Sequence, residues 1–244
     1  MLTSGDSRFR SNLQHVLDWL FPPRCAGCGA FGDHWCNNCQ DRADVIRQPF
    51  CARCGLPLWD GELCVACRNR EYSFYQARAW ARYSAELRQA ILELKHRPNQ
   101  SLGRALAKHL DDTYQAQGWD IDYLVPIPLA SHRKKQRGFD QVELLAGPFA
   151  ALARLDLRTD VLLRRKETDP QVGLTVVQRW KNLRNAFVAD PKQIRGASVL
   201  LLDDIMTTGA TLDAAARALK QAGAKQVFAL TVARTVLQDE SGFW

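Results

Sequence analysis

The amino-acid sequence predicts an α/β fold with a parallel sheet, preceded by a small N-terminal metal-binding module. Two observations carry this prediction. All eight cysteines of the 244-residue chain fall between Cys25 and Cys67, in a turn-rich segment without regular hydrophobic periodicity. From about residue 71, apolar segments with the period of strands alternate with segments of helical period, an order that gives a parallel sheet covered on both faces. The sequence therefore divides into a module at residues 1–70 and a second domain at residues 71–244.

The predicted helices and strands follow one another in a regular order. Ahead of the cysteines, Asn12–Phe21 has apolar residues on one helical face and ends at two prolines. The helices expected in the second domain are Ser84–Lys95, Ser101–Tyr114, Asp140–Leu155 and Thr211–Ala222. The strands expected there are Gln76–Tyr83, Tyr123–Ile127, Val161–Leu163, Val199–Leu202 and Gln226–Ala233.

The composition indicates what class of protein this is and what kind of ligand it is expected to bind. The chain is 46% hydrophobic and 24% charged, as in ordinary globular proteins, and no apolar run approaches the ~18 residues that cross a bilayer. Residues Met1–Arg10 lack the apolar core of a signal peptide, so we expect a cytoplasmic location. The net charge of +7 favours an anionic partner. Residues 1–70 hold eight arginines against seven acidic residues, so most of this excess lies in the second domain.

Four CxxC pairs in the N-terminal module indicate zinc. Two residues between paired cysteines let both sulfurs reach one tetrahedral Zn²⁺ at about 2.3 Å. A redox dithiol is the alternative, but that motif normally stands alone in a thioredoxin-like context. Two structural Cys₄ sites in sequence order are the simplest pairing, with an interleaved arrangement as the alternative, and His34 is expected to be a surface residue rather than a ligand. The predicted zinc ligands are Cys25, Cys28, Cys36, Cys39, Cys51, Cys54, Cys64 and Cys67.

The segment Val199–Leu212 (VLLLDDIMTTGATL) predicts a site for a phosphorylated ribose. Asp203 and Asp204 follow the apolar strand and can accept hydrogen bonds from the ribose hydroxyls. A glycine turn at the start of a helix supplies backbone N–H groups for a 5-phosphate, and threonine hydroxyls add further donors. The expected phosphate-binding residues are Thr207, Thr208, Gly209, Ala210 and Thr211. The string resembles the motif that binds phosphoribosyl diphosphate (PRPP) in type I phosphoribosyltransferases, which implies the Rossmann-like parallel sheet of that fold.

Two basic segments accompany this motif. Ser131–Phe139 places four cations within five residues, which suit a pyrophosphate, although a nucleic-acid backbone or a solvated turn are alternatives. These cations are Arg133, Lys134, Lys135 and Arg137. The second segment, Arg164–Arg195, is long and basic, and it suits a segment that closes over the site.

Taken together, these motifs resemble the ComF family, which includes proteins called ComFC and GntX. The resemblance covers nearly the whole chain and rests on the cysteine pairs and on residues 92–95, 125–141, 164–187 and 199–212. It implies a double zinc ribbon ahead of a phosphoribosyltransferase fold, and a link to natural competence, the uptake of single-stranded DNA, or the use of DNA as a nutrient. After Lys95 the family usually has an aromatic residue, a basic residue and glycine, whereas this chain has residues 96–99 as HRPN. Lys95 itself is still predicted to contact phosphate.

The leading hypothesis is a type I phosphoribosyltransferase, a glycosyltransferase that binds PRPP with Mg²⁺ and acts on an unidentified acceptor. Arg133 and Arg137 would stabilise the departing pyrophosphate, while Asp203 and Asp204 hold the ribose. The first alternative is a non-catalytic module that binds single-stranded DNA and retains the PRPP site. The second is a zinc module that docks a partner, such as a DNA-uptake helicase or another competence protein.

Overall fold

The computed structural model describes residues 22–165, 176–183 and 185–236. The helix predicted at Asn12–Phe21 lies outside these residues. The described helices are α1 (Asn37–Asp41), α2 (Val65–Asn69), α3 (Ala85–His96), α4 (Gln100–Gln115), α5 (Ser131–Arg137), α6 (Gln141–Ala153), α7 (Val176–Leu183), α8 (Pro191–Ile194) and α9 (Ala210–Gln221). The described strands are β1 (Gln76–Arg82), β2 (Tyr123–Pro126), β3 (Asp156–Leu157), β4 (Leu162–Arg164), β5 (Phe187–Ala189), β6 (Ser198–Met206) and β7 (Gln226–Arg234).

Five strands form a parallel sheet in the order β1-β7-β6-β2-β3, and β4 and β5 form a separate antiparallel pair. The predicted α/β class is therefore confirmed. β6 is longer than the strand expected at Val199–Leu202, since it continues to Met206. The reason is the pairing with β7, which extends to the neighbours Met206 and Arg234 and so keeps the backbone extended through the two aspartates.

The sheet has an apolar core on each face. Along β6, Leu200 and Leu202 point into the core formed with α3, α4 and α6, while Val199 and Leu201 point into the core formed with α9. This alternation is the two-residue period of a strand, and burial of both faces explains why the strand is continuously apolar. Burial of this kind contributes about 25 cal/mol per Å² of apolar surface.

The zinc module packs along the edge strand β1 and forms backbone hydrogen bonds with it. Backbone N–H groups of Ile46 and Arg82 donate to the carbonyls of Trp80 and Asp44, at 2.9 and 2.8 Å, which covers the unpaired edge of β1. On either side of this contact the cysteines pack into different cores. Cys25 and Cys39 belong to the core on the α4 face, whereas the last four cysteines belong to the core on the α9 face.

No helix in the described part of the chain is both long enough and apolar enough to cross a membrane.

Candidate functional site

The eight cysteines form two groups of four, in sequence order. One group contains Cys25, Cys28, Cys36 and Cys39, and the other contains Cys51, Cys54, Cys64 and Cys67. Within each group the sulfurs all lie within 4.8 Å of one another, and the closest recorded pairs are 3.6 Å apart. A tetrahedral Zn²⁺ with Zn–S bonds of about 2.3 Å requires sulfurs about 3.8 Å apart. Both groups therefore fit zinc without rearrangement, and the sequence-order pairing is the one that the structure adopts.

The two zinc centres have different surroundings. In the first centre Cys28 is exposed, whereas all four cysteines of the second centre are buried. A buried guanidinium contacts the second centre, because Nη2 of Arg234 lies 3.4 Å from Sγ of Cys54. His34 belongs to neither group; its Nδ1 lies 3.1 Å from Nδ2 of Asn99, which is a contact between the first centre and the turn after α3.

A cleft of about 530 Å³ opens at the carboxyl ends of β2 and β6. Ligands of open α/β sheets bind at this edge. Nine of the twelve predicted ribose-, phosphate- and pyrophosphate-binding residues line it, and they come from four separate elements. The predicted residues in its wall are Lys95, Arg133, Arg137, Asp203, Asp204, Thr207, Gly209, Ala210 and Thr211.

The carboxylate of Asp204 is held by two side chains of the cleft, one of which is held in turn by a third. Its Oδ2 lies 3.0 Å from Nζ of Lys95 and accepts a hydrogen bond from Nε2 of Gln141 at 3.3 Å. Gln141 in turn accepts from Nη1 of Arg137 at 2.7 Å. Asp140, the N-cap of α6, fixes the start of this helix by accepting from the backbone N–H groups of Val142 and Leu129. Asp204 is therefore oriented by a network that reaches from α3 to α6.

Asp203 lies in the floor of the cleft beside Asp204. Burial raises the pKa of Asp203 well above its usual value, and the adjacent charge of Asp204 raises it further. Its Oδ1 accepts a hydrogen bond from the backbone N–H of Asp204 at 2.8 Å. Two carboxylates in one polar cleft offer the hard oxygen ligands that Mg²⁺ prefers, and Mg²⁺ sites commonly combine one or two carboxylates with ligand phosphates. The residues present thus fit a divalent cation that arrives with a diphosphate.

The predicted phosphate loop turns directly into α9. Gly209 is the N-cap of α9 and has φ +77°, a conformation that side chains rarely adopt. A Cβ at this position would also lie 2.8 Å from Cε of Met206 and 3.1 Å from the ring of Tyr72. Thr208 is the exception among the loop residues, since it is buried outside the cleft wall and its hydroxyl accepts from the backbone N–H of Ala210 at 3.4 Å.

The basic run expected as a loop forms the helix α5, and this helix separates its cations. Arg133 and Arg137 are four residues apart, so they share one face, and both line the cleft. Burial lowers the pKa of Arg137, and the nearby charge of Arg133 acts in the same direction. Lys134 and Lys135 lie on the exposed side and do not line the cleft; Lys134 pairs instead with Glu143 at 2.9 Å.

Three residues with a place at the site were not among the predicted site residues. Gln141 is the last residue of the segment 125–141. The sequence feature that could have indicated its role is a polar side chain directly after the helix N-cap. Arg164, on β4, lines the cleft and begins the second basic segment. Arg234 is the last residue of the apolar strand β7. The sequence feature that could have indicated its role is a single cation at the end of the apolar segment QVFALTVAR. Residues 166–175 of the segment expected to close over the site lie outside the described residues.

Comparisons with known proteins agree with this architecture. Residues 16–68 match the family described as Double zinc ribbon domain, and residues 145–240 match the Phosphoribosyl transferase domain. The chain is 30% identical over 211 residues to the DNA utilization protein YhgH of Salmonella typhi, across 83% of this chain and 92% of that protein. It is 27% identical to competence protein F of Haemophilus influenzae, across 82% and 90% of the two chains.

The competence protein ComFC of Bacillus subtilis is 29% identical over 210 residues, which cover 82% of this chain and 84% of that protein. With its double zinc ribbon and its phosphoribosyltransferase domain, this chain belongs to the ComF family.

Proposed function

We propose that this protein binds PRPP together with Mg²⁺ in the cleft, and that it does so in the uptake or use of DNA. One observation carries the proposal: the two aspartates, the glycine turn of α9 and three cations meet in one cleft of about 530 Å³. The relatives' names support the biological setting, because they are DNA utilization and competence proteins.

Each part of PRPP has a group of residues suited to it. Asp203 and Asp204 accept hydrogen bonds from the two ribose hydroxyls. The N-terminus of α9 offers backbone N–H groups and the positive end of a helix dipole to the 5-phosphate. Lys95, Arg133 and Arg137 bring positive charge to the wall where the pyrophosphate would lie.

The same groups suit transfer of the phosphoribosyl group. An acceptor would form a bond to the anomeric carbon while the bond to pyrophosphate breaks, and the departing oxygens gain negative charge. Arg133 and Arg137 are placed to stabilise that charge because both line the cleft, and Arg137 is held there by Gln141. Bound Mg²⁺ would neutralise part of the diphosphate charge. The acceptor remains to be identified with a panel of nitrogen and hydroxyl nucleophiles.

Isothermal titration of the zinc-loaded protein with PRPP in the presence of Mg²⁺ tests the binding proposal. We expect saturable binding that is lost in a double variant, Asp203→Asn with Asp204→Asn, whose zinc content and circular dichroism match those of the wild type. The proposal is wrong if the folded wild-type protein neither binds nor consumes PRPP at millimolar concentration.

Single-stranded DNA is the second candidate ligand, and α5 supplies the observation that favours it. Lys134 and Lys135 are exposed and do not line the cleft, so a phosphate backbone can reach them while the cleft is filled, with Lys134 giving up its ion pair with Glu143. Binding through such contacts weakens steeply with salt. A mobility-shift series at increasing salt tests this candidate, and the double asparagine variant should retain the shift. Loss of the shift in that folded variant would place the DNA in the cleft instead.

A further inference from the structure

The phosphate loop is held by one residue that contacts the second zinc centre and by one that follows this centre in the sequence. Arg234 donates through Nη1 to the backbone carbonyl of Thr207 at 3.3 Å. The hydroxyl of Tyr72 donates to the backbone carbonyl of Thr208 at 3.4 Å. Tyr72 lies five residues after Cys67, in the linker that leaves the second centre.

These two contacts determine where the loop's N–H groups point. In a trans peptide unit the carbonyl and the following N–H lie in one plane and point in opposite directions. When Arg234 holds the carbonyl of Thr207, the N–H of Thr208 points away from Arg234. The contact from Tyr72 to Thr208 aims the N–H of Gly209 in the same way. These are N–H groups of the kind that a 5-phosphate requires.

The linker is attached to the same loop and helix at two further points. The backbone N–H of Ser73 donates to Oδ1 of Asp213 in the first turn of α9, at 2.6 Å. The ring of Tyr72 packs against Gly209, and it stacks on Phe74 with the ring centroids 4.7 Å apart. Phe74 is buried in the same core as the second group of cysteines. The linker therefore connects the second centre to the loop through continuous packing.

Arg234 makes the connection direct. The side chain is only 2% exposed, and its two terminal nitrogens bind different groups: Nη2 contacts Sγ of Cys54 and Nη1 contacts the carbonyl of Thr207. A zinc ion with four thiolates carries a net negative charge, so a buried cation beside it is favourable. Residues that donate to metal ligands orient those ligands and tune the metal site. One planar guanidinium thus shares its donors between a zinc ligand and the phosphate loop.

We infer that the second zinc centre is part of the phosphate-binding apparatus, and that Arg234 is the positioning residue through which this centre orients the loop. The inference rests on the proposed function for the identity of the ligand, but the support of the loop itself does not require PRPP. The first zinc centre packs on the opposite face of the sheet and has no such contact among the described residues.

Hydrogen–deuterium exchange of the full-length, zinc-loaded protein tests the support of the loop without any ligand. In Arg234→Lys the buried charge is kept, but one ammonium cannot reproduce the two-sided fork. We expect amide exchange over residues 207–211 to rise about tenfold, while the amides of Leu200–Leu202 stay unchanged. Arg78→Lys is the matched control, since Arg78 is also a buried arginine beside the second ribbon but donates to Ala52, Ala77 and Gln117.

Zinc release in the presence and absence of PRPP tests the coupling between the loop and the second centre. A ligand that binds the ordered loop stabilises the structure around it, so PRPP with Mg²⁺ should slow zinc release from the second centre by about fivefold or more and leave the first unchanged. A Cys28→Ser variant assigns the release phases to the two centres. The effect on the second centre should disappear in Arg234→Lys.

The possible failures are distinguishable. If calorimetry detects no PRPP binding, the proposed function fails, and the exchange experiment alone decides the inference. If PRPP binds but leaves both release rates unchanged, the inference is overturned. It is also overturned if Arg234→Lys and Arg78→Lys change exchange over residues 207–211 equally.

Discussion

Nζ of Lys95 lies 3.0 Å from Oδ2 of Asp204, and this ion pair joins the last turn of α3 to the end of β6. The Asp204 side chain is 9% exposed and that of Lys95 24%, so solvent screens the pair less than it would at the surface. Lys95 thus lies in the wall of the cleft beside Asp204. A diphosphate entering there would bring new negative charge to the lysine.

Replacement of Lys95 should show whether this side chain contacts the pyrophosphate or the ribose part of PRPP. In Lys95→Met we expect the affinity for PRPP to fall about tenfold, equivalent to about 1.4 kcal/mol. Binding of ribose 5-phosphate, which has no pyrophosphate, should change much less. Parallel calorimetric titrations with both ligands check this. An equal loss for both would mean that Lys95 acts on the ribose through Asp204 and does not contact the pyrophosphate.

The two adjacent aspartates should respond oppositely to removal of charge. Because the pKa of Asp203 is raised in the folded protein, the folded state holds this proton more tightly than the unfolded state. Stability from this group is therefore fully present below the unfolded pKa of about 3.9 and is lost as the pH rises through the folded value. Above the unfolded pKa, the acidic side chain at this position therefore lowers the stability of the apo protein relative to a neutral side chain.

Asp203→Asn should accordingly raise the melting temperature at pH 7, by about 2–4 °C for a gain of about 1 kcal/mol, while it weakens PRPP binding. The gain should shrink as the pH is lowered towards 4. Asp204→Asn is the matched control, and it should lower the melting temperature because it removes the ion-pair partner of Lys95. Thermal denaturation from pH 4 to 8 measures both. A lower melting temperature for Asp203→Asn at pH 7 would contradict the raised pKa.

The helix α5 allows the PRPP and DNA proposals to be separated with two double variants of equal charge change. Replacement of Arg133 and Arg137 with Gln should reduce PRPP affinity at least tenfold, since both line the cleft. Replacement of Lys134 and Lys135 with Gln should leave PRPP binding unchanged and weaken the DNA shift at low salt. Calorimetry and mobility shifts on both variants give the answer. If the lysine variant loses PRPP binding as strongly as the arginine variant, the two faces of α5 are not functionally distinct.

The sequence and the structure agree best where a local pattern determines the result. The CxxC spacing predicts the zinc sites because it matches the geometry of zinc ligation. The string from Val199 to Leu212 predicts a strand that turns into a helix. Neither prediction depends on distant residues. The sequence did not indicate that the cations of α5 lie on two faces of a helix, because a run of polar residues has no apolar period that marks a helix. The four-residue spacing of Arg133 and Arg137 was the available signal.

Long-range relationships could not be read from the sequence in the same way. Gln141 reaches Asp204 and Arg234 reaches Cys54 only because the sheet order brings these segments together, across 63 and 180 residues of chain. The attachment of the zinc module along β1 is likewise a tertiary contact. No local pattern near Asp44 or Ile46 indicates that this segment covers a sheet edge.

The different burial of the two zinc centres predicts the order in which a chelator removes the metal. A chelator must reach the zinc ligands, and Cys28 of the first centre is exposed whereas all four cysteines of the second are buried. With excess chelator we therefore expect biphasic release, with the first zinc lost at least tenfold faster than the second. A colorimetric zinc indicator follows the two phases.

Cys28→Ser should accelerate or abolish the fast phase and leave the slow phase unchanged. The second zinc should leave more slowly because its ligands share a buried core with Leu56 and Phe74, which must open before a chelator can reach them. Release of both ions in one phase, or loss of the buried zinc first, would show that access to the ligands does not control the rate.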